Sequence, residues 1–352
     1  MMQLISFFNF KCLAIFLMFC FAKGETECPN IVTPALDRRV NKTMLRFVQY
    51  NAEWLFIDYY SAMDCPGNGC TWKTVTDADT HLTYVANVIK KLNPDIINIC
   101  EIEGCDELIM LQSQLDSSYV PYLKKGTDTA TGQNVGLLTR IDPIINLYRS
   151  EEKVVYPLPG TNCGYTSVTG STGVSKHYIT EFRFNNLLVA LIGAHLLAIP
   201  TDPARCVQRE AQAQVLQNVI YNYIFKGYEI VMVGDFNDYD GDDDVLDVNS
   251  NKPISRVLGI LKGEEGTKKD TYNLTNVAYR MKQEERFSDW WDSDNNCITS
   301  SKKDYSMIDH ILVTQKIDAN IKNAFIFHGY DEYCGKWNSD HYPVVIDFLS
   351  PF

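Results

Sequence analysis

The chain has 352 residues, 45% of them hydrophobic and 22% charged, with a formal net charge of -12. There is enough apolar material for a large core, but nothing that draws the molecule as a whole to nucleic acid or to an anionic membrane. A passive, charge-driven binder of polyanions is therefore excluded, and any phosphate ligand has to be held by local cations or by a bound metal.

Taken in chain order, a late Lys11, the apolar run Cys12–Ala22 and then Lys23-Gly24 ahead of Glu25 form the pattern of a secretory signal peptide over residues 1–24. Its apolar core is too short for a comfortable membrane span, which leaves residues 25–352 as a secreted or lumenal protein without stable membrane insertion. The rest of the chain carries no linker, repeat or low-complexity tract, so one catalytic domain is expected. Asn41-Lys42-Thr43 and Asn273-Leu274-Thr275 fit the glycosylation acceptor rule. Outside the signal an odd number of cysteines remains, so disulfides with at least one thiol left over are expected. Cys65-Pro-Gly-Asn-Gly-Cys70 reads as a locally closed loop, and Cys100, at the end of a buried run, as the unpaired thiol.

Strand-like runs follow at Leu45–Tyr50, Asp95–Cys100, Asn134–Thr139, Tyr178–Phe184, Leu187–Ala194, Glu229–Gly234, Met307–Thr314 and Tyr342–Phe348. Helical periodicity covers Asp77–Leu92, stopped by Asn93-Pro94, and Arg205–Phe225, closed by Lys226-Gly227. Strands and helices in this order make a layered α/β architecture. The runs end on, or open with, groups that bind cations and move protons: Asn51, Glu101, His195, Asp235 with Asn237 and Asp238, Asp309, and Asp340-His341. Such groups are costly to desolvate unless their charge is used, and oxygen donors beside imidazoles suit hydrolysis of a phosphoester with a hard divalent cation. The acidic run Asp238–Asp244 fails the EF-hand register and reads as a solvated loop.

The segments NAEWLF, NPDIINICEIEG, NVGLLTR, GAHL, GDFND, SMIDHILVT and SDHYPV, in this order, resemble the endonuclease/exonuclease/phosphatase superfamily typified by pancreatic deoxyribonuclease. The resemblance implies a four-layered α/β sandwich with two central mixed sheets flanked by helices. It also implies divalent-metal hydrolysis of phosphoesters, with Mg2+ as the expected ion and Mn2+ or Ca2+ as substitutes. By position, Asn51, Glu101 and Asp340 resemble metal-side ligands, and Asp235 with Asn237 the pair that positions water and phosphate. His341, oriented by Asp309, and His195 resemble the two histidines of the reaction centre. Arg205 and Arg209, with Lys124 and Lys125, are candidate phosphate contacts, although helix-face solvation explains Arg209 equally well. His310, turned the other way by strand alternation, is expected to be structural.

The lead expectation is a nuclease with nucleic acid as substrate and no protein partner. One rival keeps the chemistry and takes sphingomyelin or another phospholipid, with Trp290-Trp291 as the candidate lipid contact. The other is a catalytically inert binding module on the same fold, which loss of a ligating acid would mark; no such loss is visible.

Overall fold

The structure, a computed structural model, describes residues 28–57, 72–292, 296, 302–330 and 337–349. The expected signal peptide and the Cys65–Cys70 pair lie outside the described residues. The first half of the chain supplies β1 (Met44–Leu55), α1 (Val75–Leu92), β2 (Ile96–Ile102), α2 (Cys105–Ser113), β3 (Val120–Leu123) and β4 (Asn134–Thr139). Next come β5 (Val154–Tyr156), β6 (Gly170–Thr172), β7 (Lys176–Phe184), β8 (Leu187–His195), α3 (Pro203–Phe225), β9 (Glu229–Asp235) and α4 (Val257–Lys262). The last are β10 (Leu274–Asn276), β11 (Asp289–Trp290), β12 (Tyr305–Ser306), β13 (Asp309–Thr314), α5 (Gln315–Asp318), β14 (Ile321–Ile326) and β15 (Val344–Leu349).

Two sheets dominate: a six-stranded one in the order β14-β15-β1-β2-β4-β3 and a five-stranded one in the order β10-β13-β9-β8-β7. Each is mixed, with one parallel pair, β1/β2 and β8/β9, among antiparallel neighbours. Each parallel pair is joined by a crossover helix, α1 or α3, as parallel strands require. Local sequence fixes those helices. Thr74 caps α1 through the Asp77 N–H, and Asn93 closes it in the left-handed region. Asp202 caps α3, with Pro203 in its first turn.

Alternation along β9 distributes the core. Val231 and Val233 face the layer between the sheets, with Tyr178, Leu191, Ile311 and Val344. Ile230 and Met232 face α3 and α4 together with Val215, Ile220 and Ile260. On the far side, Val48, Ile97 and Ile99 pack under Leu82, Val85 and Ile89 of α1 and Leu108 of α2. Three apolar layers between two sheets and their outer helices make the four-layered sandwich, as the sequence motifs implied.

The expected strands and both long helices are present, with ends that coincide or lie one to five residues further out, except that β2, β13 and β15 start one or two residues later than expected. β3, β14 and α2 went unanticipated. β3 is four residues long and holds Pro121, and β14 alternates poorly because its middle residues are exposed. Cys28–Cys105 and Cys163–Cys206 are disulfide-bonded, and Cys100 is a free, buried thiol.

Candidate active site

Because both parallel pairs run the same way through their crossovers, the carboxyl ends of β1, β2, β8 and β9 meet at one edge of the sandwich. Register then lines up the chemistry. His195 pairs with Asp235 across β8/β9, Asp235 with Asp309 across β9/β13, and Lys176 with His195 across β7/β8. From the other sheet Asn51 pairs with Cys100, next to Glu101. Close approach of β8 and β9 depends on Gly234, where a Cβ would stand 1.8 Å from the Ala194 carbonyl oxygen at φ 156°. Asn237, Glu101 and Glu53 all sit at positive φ, between 47° and 64°. Strained backbone gathered at one strand-end cluster marks a functional site.

Asn51 ties the two sheets together. Its Nδ2 donates to Asp235 Oδ2 at 3.0 Å and to Glu101 Oε1 at 3.1 Å, and lies 3.3 Å from His341 Nε2. His341 Nδ1 is 2.7 Å from Asp309 Oδ2, and Asp309 in turn accepts from Gln49 Nε2 and Ser288 Oγ, both at 3.0 Å. Asp235 Oδ1 accepts from the Asn237 backbone N–H at 2.9 Å, and the Asn237 side chain donates to Leu196 O. Asp340 accepts nothing from the protein at its carboxylate among these bonds, while its N–H donates to Glu53 Oε2.

Burial and crowding decide the charges. Burial together with the Asp309 carboxylate pushes Asp235 up to about 8, against the pull of His341. Burial pushes Asp289 up to about 6. Desolvation in the cleft and the Glu53 carboxylate hold Asp340 well above the usual range. Burial disfavours the His341 imidazolium, yet Asp309, Asp340 and Asp235 hold it well above an ordinary histidine. His195 goes the other way, lowered by burial and by the Lys176 and His341 charges. One donor atom each from Glu101, His195 and Asp235, from Asp235, Asp309 and His341, or from Asp289, Asp340 and His341 falls within 4.8 Å of the others. Asp235, Asp289 and Asp340, three crowded carboxylates each with raised affinity for protons, fit a divalent cation, whose charge would relieve the repulsion.

The structure thus brings together Asn51, Glu101, His195, Asp235, Asn237, Asp309, Asp340 and His341. Three neighbours were not anticipated. Asp289, in the two-residue β11, stands 3.6 Å from His341 Nε2 and is bridged to that residue's backbone. Gln49 orients Asp309 from inside β1. Lys176 is buried, its Nζ 3.1 Å from Gln133 Oε1, 3.5 Å from His195 Nε2 and 3.9 Å from Asp128. His195 is therefore faced by a lysine, and its buried Nδ1 has no hydrogen-bond partner among the described residues.

Arg209 corrects an expectation. It is fully buried, paired with Asp238 at 3.1 Å and donating to the carbonyls of Leu197, Ile199 and Pro200. It therefore pins the loop after β8 and is not a phosphate contact. Arg205 lies in the first turn of α3; its backbone N–H bonds Asp202, and no described contact joins its guanidinium to the cluster. Lys124 and Lys125 line a separate hollow beside the Cys28–Cys105 bridge. The acidic loop is solvated only from Asp242 onward. Asp238 is held by Arg209 and Ser255, and Asp240 by Lys262 and Asn276. His310 faces this network, bonding the Asp238 carbonyl and Asn276.

The model of the Endonuclease/Exonuclease/phosphatase family matches residues 71–341. Among solved structures, the Neisseria 3′ phosphatase NExo, bound to a product DNA hairpin, aligns with a TM-score of 0.53 at 16% identity, covering 86% of this chain and 99% of its own. Truncated Caenorhabditis elegans TDP2 aligns at 0.49 and 16% identity, covering 87% and 98%. Humanized D. rerio TDP2 aligns at 0.49 and 13% identity with the same coverage. At these identities the likeness concerns the fold. No curated protein matches the sequence.

Proposed function

Because the chain belongs to the Endonuclease/Exonuclease/phosphatase family, we propose that it is a secreted, divalent-metal-dependent phosphodiesterase that hydrolyses nucleic acid. The observation that carries this reading is the Asp309–His341 pair at 2.7 Å facing an Asp235 that Asn51 ties to Glu101. In this reading residues 1–24 are a signal peptide and 25–352 one catalytic domain. The two disulfides and the lack of a membrane-spanning helix among the described residues are compatible with a lumenal or extracellular setting.

Glu101 and Asp235 on one side and Asp289 and Asp340 on the other would offer oxygen to Mg2+, whereas Asn51, expected as a ligand, turns its Nδ2 to Glu101 and Asp235 and its Oδ1 to the Glu53 N–H and so orients the carboxylates. The ion would supply positive charge against a phosphoryl oxygen and the leaving oxygen. The protein's own groups do the rest. Asp235, once a bound cation relieves the crowding that favours its protonated form, is placed to take the proton of an attacking water, and the Asn237 N–H fixes the carboxylate for that task. His341, kept as imidazolium by Asp309, donates from Nε2 to a phosphoryl oxygen as charge builds there. His195, neutral and beside the Lys176 ammonium, completes the cradle on the β7/β8 side. Asn51 keeps the two halves in register.

A phospholipid substrate has one observation in its favour: Trp291 is 69% exposed next to the site residue Asp289, although Trp290 is buried. A single indole is less than an apolar hairpin, and nucleic acid remains the stronger reading. Mature protein incubated in parallel with plasmid DNA, RNA and sphingomyelin, with Mg2+ or with EDTA, separates the two. Metal-dependent cutting of DNA or RNA supports the proposal, and hydrolysis of sphingomyelin alone moves the substrate to lipid.

A further inference from the structure

Beside the reaction centre, across a lip one residue wide, lies a second cleft of about 240 Å3 whose lining holds the hydroxyls of Thr127, Ser150, Ser171, Thr172 and Ser175, the cations Arg149 and Lys153, and the acids Glu151 and Glu152, the last engaged by Asn218 at 2.6 Å. The lip is where the Thr127 N–H donates to Ser175 O at 2.9 Å. Asp128 and Lys176, each the next residue, face the centre. Arg149 is the unusual group. Its bonds go only to neutral oxygens: Val174 O at 2.8 Å, Thr127 Oγ1 at 3.3 Å and Lys125 O at 3.4 Å. Among the described residues, Nε is buried with no partner and no carboxylate lies within ion-pairing distance. Desolvation accordingly lowers its pKa, with only Glu151 pulling the other way. Among the described residues this half-buried guanidinium has no counter-ion, and with five hydroxyls around it in an open cleft it is suited to take an anion.

We propose that Arg149 and the surrounding hydroxyls bind a non-scissile phosphate of a polynucleotide, so that the strand crosses the Thr127–Ser175 lip from the reaction centre. The proposal rests on the nuclease reading and adds to it a subsite and a direction for the strand. Glu151, exposed at the cleft, works against the same phosphate. Lys153 also lines the cleft and adds positive charge.

The test compares wild type, Arg149→Gln, Arg149→Lys and Glu151→Gln on bis(4-nitrophenyl) phosphate and on single strands of up to about twelve nucleotides. For the long strand, Arg149→Gln should raise KM about tenfold with kcat nearly unchanged, and Arg149→Lys should recover most of the loss. Glu151→Gln should lower KM about twofold. The salt dependence of KM should fall by about one phosphate contact in Arg149→Gln. The small diester does not reach the cleft, so its KM should not follow that of the strand. Equal effects on strand and small diester, or a wild-type KM for the strand, overturn the subsite while leaving the nuclease reading intact. If Arg149→Gln does not fold, Glu151→Gln decides, and an unchanged or raised KM counts against the proposal. A wild-type enzyme that cuts the small diester but no DNA or RNA of any length overturns both.

Discussion

Asp235 and His341 share a buried space in which each stabilises the charge of the other, and most of the proposed chemistry depends on that pair. Asp235→Asn or His341→Ala should lower kcat by at least about 100-fold, because a positioned acid or base contributes on that scale. The melting temperature of Asp235→Asn should stay near that of wild type, since the amide keeps the shape of the carboxylate, whereas His341→Ala leaves Asp309 buried without its imidazole and should melt lower; near-wild-type turnover in either variant would remove these residues from the mechanism.

The same two groups make a prediction about pH. Asp235 and His341 both have folded-state pKa values raised above their unfolded ones, so between pH 6.5 and 8 the folded, metal-free protein binds more protons than the unfolded chain. Stability without metal should therefore fall as pH rises through that window, by at most about 1.4 kcal/mol per pH unit for each proton. His81 and His177, pushed down to about 4 by burial, act with the opposite sign, but only below their unfolded value of 6.5. Chemical denaturation in EDTA at several pH values checks this. Asp235→Asn should flatten the decline, and stability that rises from pH 6.5 to 8 would contradict it.

Much of the site was legible in the sequence, because Asn51, Glu101, His195 and Asp235 each close an apolar run and Asp340-His341 precede one. Asp289 was not, since a two-residue strand has no periodicity to read. Lys176 opens β7 ahead of its alternation and looks like a solvated flank; only the pairing of β7 with β8 turns it toward His195. Arg209 was misread as surface because α3 buries residues around much of its circumference, which weakens the amphipathic signal.

At the scale of elements, the strand ends are held from behind. Arg209 and Asp238, 0% and 1% exposed, fasten the start of α3 and the loop after β8 to the end of β9. Removing one partner strands a buried charge, so Arg209→Met should cost about 3–5 kcal/mol in urea denaturation, far more than a surface contact would. A loss below 1 kcal/mol would return Arg209 to the surface role expected from its sequence. Gly234→Ala should cost about 3 kcal/mol or more, since its new methyl meets the Ala194 carbonyl and forces apart the two strands that carry His195 and Asp235. Gly234 could be read from the sequence only as the last residue of the strand-like run Glu229–Gly234. Its closeness to β8 emerges from the register.

For the whole molecule, two β-α-β units, β1-α1-β2 and β8-α3-β9, face each other across a shared apolar layer, and the reaction centre lies where their carboxyl edges meet. The acids, amides and imidazoles are far apart in the chain but near one another because both sheets end on the same side. The disulfides lie outside this centre. Cys28–Cys105 ties the amino-terminal segment to α2, and Cys163–Cys206 ties a long loop to α3. Reduction should lower stability by about 2–4 kcal/mol per bridge, seen as a lower melting temperature in dithiothreitol. The order of elements was legible because hydrophobic period and turn chemistry are local. The pairing of the cysteines was not, because it depends on how distant elements pack.

The central claim is that these buried carboxylates and imidazoles form one metal-requiring centre for cutting nucleic acid. Cleavage of plasmid DNA and of RNA by the purified mature protein, followed over time in Mg2+ and after EDTA with wild type and His341→Ala side by side, tests it most directly. The account predicts cutting by wild type in Mg2+, loss of cutting in EDTA, recovery when Mg2+ is restored, and little cutting by His341→Ala under any of these conditions. Cutting that persists undiminished in EDTA, or in His341→Ala, would contradict it.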